Sequence, residues 1–238
     1  MDAGMKLGEL SIEVVRKNIK NVHLSVHPPA GRVRIAAPRH LSNDAIRAFA
    51  IGKLGWIRQQ QTKLLEQDRE TPREYLDRES HYVWGRRCLL QVVEREAPPS
   101  VEWRQHRLML LVRPGTESAR RGEIVEAWYR EQLRSAVEPL AAQWQRRIGV
   151  KVERLFVRRM RTRWGSANPS LRTIRLNTDL AKKPRECMEY ILVHELVHLL
   201  EPTHGSRFVS LMDRYLPAWQ HRRDMLNRMP VRHEDWNY

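Results

Sequence analysis

Residues 194–198 read His-Glu-Leu-Val-His, and His204 follows a short distance on. On an α-helix, positions four apart lie one turn above each other on the same face. His194 and His198 therefore point their imidazoles at one common ion. Glu195 stands on the neighbouring edge of that face, close enough to hold a water bound to the ion. Leu196, Val197, Leu199 and Leu200 supply an apolar side that buries the helix. Pro202 cannot continue the helix and Gly205 loosens the backbone, so the chain can turn back and present His204 as a third ligand. Three neutral imidazoles around a divalent cation, with one position left for water, make the pattern of a catalytic zinc site holding one Zn2+ per chain. Such a zinc brings the pKa of its bound water near 7, and Glu195 then takes the proton as general base. The plainer alternative is a buried pair of structural histidines with Glu195 as a helix-surface charge.

The surrounding pattern supplies elements to position these groups. A helix is expected from Glu186 to Leu200, entered through Pro184 near its first turn. Upstream, Val152 to Val157 and Thr173 to Leu176 read as strands with a basic loop between them. A long helix covers about Ala119 to Arg147, where Ile124, Ala127, Trp128, Leu133, Val137, Leu140, Ala141 and Trp144 keep a helical period; Gly149 stops it. Helices are also expected from His204 to about Leu216 and from Ala218 to Arg228. The N-terminal part is richer in strands: Ser11 to Val15, Val22 to Val26 and Arg32 to Ala36, the last two separated by a Pro28-Pro29-Ala30-Gly31 turn. Asn43-Asp44 caps a helix running to about Gln67, with Ile46, Phe49, Ala50, Leu54 and Ile57 on its apolar face. A polar connector from Glu66 to Glu79 leads into a second β region at Tyr82-Val83-Trp84, Cys88 to Val93 and Arg107 to Val112. No repeat is visible in the sequence. The expected fold class is α+β: a β-rich part with one helix over 1–115, then a metal-binding domain over 116–238.

Composition narrows the partners. The chain has 238 residues and a net charge of +15, from 43 Lys and Arg against 28 Asp and Glu. Such a surface attracts polyanions through counterion release and long-range steering, so DNA or another polyanion is a candidate partner. No stretch approaches the length of a membrane span, and no apolar leader core follows Met1. Cys88 and Cys187 form no C-x-x-C pair, which argues against disulfide scaffolding and thiolate zinc; a cytoplasmic protein is expected.

Several motifs together resemble the YgjP-like family of zinc metallopeptidases, related to the SprT-like and WLM-type enzymes. They are Arg163-Trp164-Gly165-Ser166, Ile174-Arg175-Leu176-Asn177, the stretch from Tyr190 to His198, His204-Gly205-Ser206-Arg207-Phe208, and Leu216-Pro217-Ala218-Trp219. Ala37-Pro38, Trp56-Ile57 and Tyr82-Val83-Trp84-Gly85 suit the family's N-terminal part more loosely. The resemblance implies a compact zincin-like fold, with a small sheet over the metal helix and a long helix beside it. It implies His194, His198 and His204 as zinc ligands and Glu195 as general base. Ala167 stands where the family commonly has Cys, and Val209 where it commonly has Trp; neither is a ligand position.

Around this centre, Thr173 to Asn177 is expected to border the cleft and to offer a free edge to an extended peptide. Asn177 either holds a substrate carbonyl or caps the turn into Thr178-Asp179. Between Lys151 and Arg175 there are eight Lys and Arg against one acid, Glu153. Arg163 and Trp164, with Arg161 and Phe156, either bind substrate or a phosphate backbone, or leave Trp164 in the core and the arginines solvated. The expected function is hydrolysis of peptide bonds by a zinc-activated water. The alternatives are a zinc-dependent hydrolase of nucleotide phosphoanhydrides, or a nucleic-acid-associated module with structural metal.

Overall fold

The computed structural model of the protein describes residues 3–27, 31–66, 70–161 and 163–231. The chain divides into two compact units, residues 1–70 with 230–238, and residues 71–229.

In the first unit, strands β1 (Ala3–Leu7), β2 (Leu10–Lys17), β3 (His23–His27) and β4 (Arg32–Pro38) form a sheet in the order β1-β2-β4-β3. The central pair β2 and β4 runs parallel; the flanking pairs are antiparallel. Alternation along β2 and β4 sends Ile12, Val14, Val33 and Ile35 to one face, where they bury against Ile46, Ala50 and Ile57. Those three side chains come from helices α1 (Asn43–Gly52) and α2 (Leu54–Glu66). One continuous helix was expected here, and the chain instead breaks at Lys53, whose φ is −110°. Ser42 rather than Asn43 or Asp44 is the N-cap: its hydroxyl accepts from the Ala45 N–H at 3.1 Å. The turn expected at residues 28–30 lies outside the described residues.

The second unit opens with strands β5 (Ser80–Val83), β6 (Arg86–Glu94), β7 (Ser100–Arg104) and β8 (Arg107–Val112), ordered β5-β6-β8-β7. Its central pair is again parallel and its outer pairs antiparallel, so the two sheets share one topology. Helix α3 (Ser118–Ile148) follows. It buries Val125, Tyr129, Leu133, Val137, Ala141, Trp144 and Ile148 at steps of three and four, and Gly149 ends it in the left-handed conformation with φ 79°. Next come β9 (Arg154–Arg158), β10 (Gly165–Asn168) and β11 (Thr173–Asn177), a 3-10 turn at Thr178–Lys182, and helices α4 (Arg185–Val197), α5 (Ser206–Tyr215) and α6 (Trp219–Asn227).

One apolar cluster runs through this whole unit. It joins Val83, Leu90, Leu108 and Leu110 of the β5–β8 sheet to Tyr129 and Leu133 of α3 and to Leu192, Val193 and Leu196 of α4. The division expected near residue 116 thus falls inside the unit, between β8 and α3, where the core is continuous. The expected α+β class holds. Among the described residues, no helix is long and apolar enough to cross a membrane.

The β5–β6 turn fixes the approach to α4. Trp84 and Gly85 both have positive φ, and their N–H groups donate to Ala181 O at 2.8 Å and Lys182 O at 3.1 Å. Gly85 is required twice over: its φ is 78°, and a Cβ there would stand 2.8 Å from Pro184 Cγ. Pro184 is the residue from which α4 starts.

Candidate metal centre and its cleft

Nine of the thirteen residues of α4 are buried, on several sides of the helix. This is the pattern of a helix enclosed by its neighbours. Glu189 ties it outward, accepting from Trp144 Nε1 of α3 at 3.0 Å and from Arg222 of α6 at 2.5 Å. Held this way, the helix presents His194 and Glu195 in its last turn and His198 at its C-cap. His204 comes from the loop between α4 and α5, as the spacing predicts.

The three Nε2 atoms lie 3.1 Å from one another in every pair. Nitrogen donors on a tetrahedral zinc, at Zn–N distances of 2.0–2.1 Å, stand about 3.3 Å apart. The three rings thus surround a point where one cation fits. His198 Nδ1 lies 3.0 Å from the Glu201 carbonyl, which directs its Nε2 to that point. His194 Nδ1 is buried and has no hydrogen-bond partner among the described residues. Burial, then the nearby His198 and His204, push His194 down to about 3, so its ring is in the neutral form that a metal requires. His198 is also pushed down, mainly by burial.

Phe208 packs against all three histidines. Its ring centroid lies 4.9 Å from that of His194, 4.7 Å from His198 and 4.8 Å from His204, and the side chain is itself buried. Tyr190, one turn before His194, meets that ring edge-on at 5.8 Å and stacks on Trp219. Sequence reading gave Phe208 no role. Its position four residues beyond His204, on the first turn of α5, was the available signal.

Glu195 is buried beside the cleft under β10. Burial pushes it up to about 8, against the pull of the Arg163 charge and the N–H of Ala167. A bound divalent cation acts in the opposite sense and favours the carboxylate. Gly165 lies directly against it: a Cβ on Gly165 would meet Glu195 Oε1 at 2.6 Å and Cγ at 2.8 Å. His194, Glu195, His198 and His204 line a cleft of about 420 Å³ with Arg163 and residues 165–167.

The strand at this cleft is β10. The stretch Gly165–Asn168 was expected to be part of a loop, and β11 was expected to offer the free edge. The order is instead β10-β11-β9, so β11 is central and hydrogen-bonded on both sides. Ser166 and Ala167 have weak strand preference, and they pair because Ile174 and Leu176 of β11 anchor the sheet in the core.

Of the other expected site residues, Arg163 lines the cleft, and Asn177 and Trp164 do not. Asn177 is buried, and both ends of its amide are used. Nδ2 donates to Met160 O at 2.8 Å and Arg163 O at 2.9 Å, while Oδ1 accepts from the N–H groups of Met160 and Asp179. Of its two expected roles, capping the turn into Thr178-Asp179 is the one observed, and it also clamps the loop that carries Arg163. Trp164 is half-buried against the core with Lys183 Nζ 5.8 Å from its ring centre.

The family profile described as "YgjP-like, metallopeptidase domain" matches residues 20–229. No curated protein matches the sequence. Among solved structures, the metallopeptidase zymogen abylysin of Pyrococcus abyssi is 24% identical, covering 41% of this chain and 99% of that chain with a TM-score of 0.36. The metallopeptidase zymogen jannalysin of Methanocaldococcus jannaschii is 18% identical, covering 38% of this chain and 86% of that one, with a TM-score of 0.35. The match over residues 20–229 takes in residues of both units, the three histidines and Glu195, and the chain belongs to the YgjP-like metallopeptidase family.

Proposed function

We propose that the protein is a zinc-dependent endopeptidase in which His194, His198 and His204 hold one zinc ion and Glu195 is the general base. The observation that carries this reading is the convergence of three Nε2 atoms at 3.1 Å in a cleft that Glu195 also lines. Neutral imidazoles with no cysteine nearby suit a catalytic rather than a structural zinc. When bound, the zinc brings the pKa of a water near 7 and polarises the scissile carbonyl.

The chain's own groups do the rest. Glu195 takes the proton of the attacking water and passes it to the leaving amine. The Ala167 N–H and the bare face of Gly165 hold its carboxylate in one place between these two transfers. Arg163, carried on the loop clamped by Asn177, offers donors to a substrate carbonyl at the mouth of the cleft. β10, an outer strand of its sheet, lies along the cleft where an extended peptide would run.

The test is digestion of casein by the zinc-loaded protein and by Glu195→Gln, with zinc content measured on both. A loss of about 10²–10⁴-fold in turnover with zinc retained is expected. Full turnover in a zinc-loaded Glu195→Gln would overturn the mechanism.

A further inference from the structure

A second hollow of about 500 Å³ opens beside the metal cleft. Its apolar wall is made by Val150, Leu199 and Leu200, and its rim carries Arg146, Lys151 and Arg172. Pro169 lines both this hollow and the metal cleft, so the two adjoin. The order along the chain matters. β10 starts at Gly165 against Glu195 and ends at Asn168, and Pro169 is the next residue. A line along β10 from Glu195 therefore runs toward Pro169, where the two hollows adjoin.

Given the peptidase reading of the cleft, on which this rests, we infer that the hollow is a specificity subsite for an acidic side chain of the substrate. An extended chain rises about 3.3 Å per residue, so the four steps from Gly165 to Pro169 cover about 13 Å. A substrate side chain about two to four residues from the scissile bond reaches the rim. Its methylene groups lie on Leu199 and Leu200, and its carboxylate meets the guanidinium groups of Arg146 and Arg172. Arginine suits this task because its planar fork binds a carboxylate through two parallel hydrogen bonds. Lys151 is partly neutralised, with Nζ 3.0 Å from Glu153, which leaves the two arginines as the main recognition groups. The loop that carries Arg172 is fixed: its N–H donates to Pro169 O at 3.3 Å, its carbonyl accepts from the Glu153 N–H at 2.9 Å, and its φ is 48°. Gln145, also in the lining, is fixed too: its Nε2 donates to Ala141 O and its Oε1 accepts from Val152 N.

The test uses the zinc-loaded full chain in two measurements. In the first, a mixed peptide library is digested and the new termini are sequenced by mass spectrometry. Asp and Glu should be enriched at one fixed position two to four residues from the cleaved bond. Arg146→Gln/Arg172→Gln should abolish that enrichment and leave cleavage of neutral peptides within about two-fold. In the second, a fluorescein-labelled Ala-Gly peptide carrying two Glu is compared by anisotropy with its Gln counterpart. The Glu peptide should bind about five- to ten-fold more tightly, the size expected for two solvent-facing ion pairs. The difference should vanish in Arg146→Gln/Arg172→Gln and persist in Arg39→Gln/Lys53→Gln, which removes equal charge from the first unit. Cleavage without acidic enrichment, enrichment that survives in Arg146→Gln/Arg172→Gln, or equal binding of the two labelled peptides overturns the subsite. Absence of any cleavage counts against the peptidase reading, and the anisotropy comparison then decides the subsite by itself.

Discussion

Gly165 leaves Glu195 no room to move toward β10. A methyl group added at Gly165 would stand 2.6 Å from Oε1, well inside van der Waals contact. Gly165→Ala must therefore push the carboxylate away from β10, because β10 is held in place by its pairing with β11. A displacement of about 1 Å in a reacting group costs on the order of 10²-fold in rate. The expected outcome is a loss of that size in kcat, with zinc content unchanged because no ligand is touched. Steady-state kinetics with metal analysis checks it; wild-type turnover in Gly165→Ala would mean that the contact does not position the base.

Phe208 is the packing partner common to His194, His198 and His204, so under the proposed zinc site its loss should be felt at the metal. Phe208→Ala removes a buried ring from the core, which costs about 3–5 kcal/mol of stability. It also leaves three imidazoles free to turn. Supporting groups around a metal typically contribute 10–100-fold to affinity, and a loss in that range is expected by chelator competition. Phe208→Leu should retain most of the stability and lose part of the affinity. An unchanged zinc affinity in both variants would limit Phe208 to a core role.

The convergence of His194 and His198, with Glu195 in the same cleft, was legible in the sequence because helical spacing fixes which side chains share a face. The expected α3 and α4 agree with the structure to within a few residues for the same reason. What was not legible depends on pairing across the chain. Gly165–Asn168 has the composition of a loop, and only its partner β11 makes it a strand. The shared order of the two four-stranded sheets is likewise invisible in side-chain types, since topology is carried by which strands meet. Ser100–Arg104 became β7 through its antiparallel register with β8, where Trp103 faces Leu108. Asn177 shows the converse: a polar side chain at a strand end was expected either to hold a substrate carbonyl or to cap the turn, and burial has it capping and satisfying backbone groups.

Asn177→Leu tests that clamp. It leaves the carbonyls of Met160 and Arg163 without their side-chain donor and removes a buried amide, at a cost of about 2–4 kcal/mol. The loop carrying Arg163 then loses its anchor. KM for peptides should rise while zinc content stays near one per chain. If stability and KM both match wild type, the loop is held by other contacts.

The two thiols should be chemically silent in the native protein. Burial raises Cys88 and Cys187 each to about 11. At pH 8 both remain protonated and alkylating reagents should label them only after unfolding. Unfolded thiols ionise near pH 9 and the native ones near 11, so this contribution is intact below 9 and is lost as pH rises through 9–11. Rapid labelling of native protein by iodoacetamide at pH 8 would contradict the burial.

Along β9, Arg154, Phe156 and Arg158 alternate onto one exposed face, with Val157 buried on the other. Arg175 of β11 stands opposite Phe156 in register, its guanidinium 5.9 Å from the ring. Arginines flanking an exposed aromatic ring can follow a phosphate backbone while the ring stacks on a base. Single-stranded DNA should therefore bind, and the affinity should fall linearly on a log-log plot of affinity against salt. Every phosphate that is no longer neutralised lowers the slope by about 0.7. Replacing Arg158, Arg159 and Arg161 by Ser should lower the slope without changing zinc content. Phe156→Ala should weaken binding at every salt concentration and leave the slope unchanged, because a stacked ring releases no counterion. That split separates a real interface from the general pull of a +15 chain, which would lower the slope for any arginine removed and ignore Phe156. An anisotropy titration showing no binding at low salt would leave β9 as a solvated basic surface.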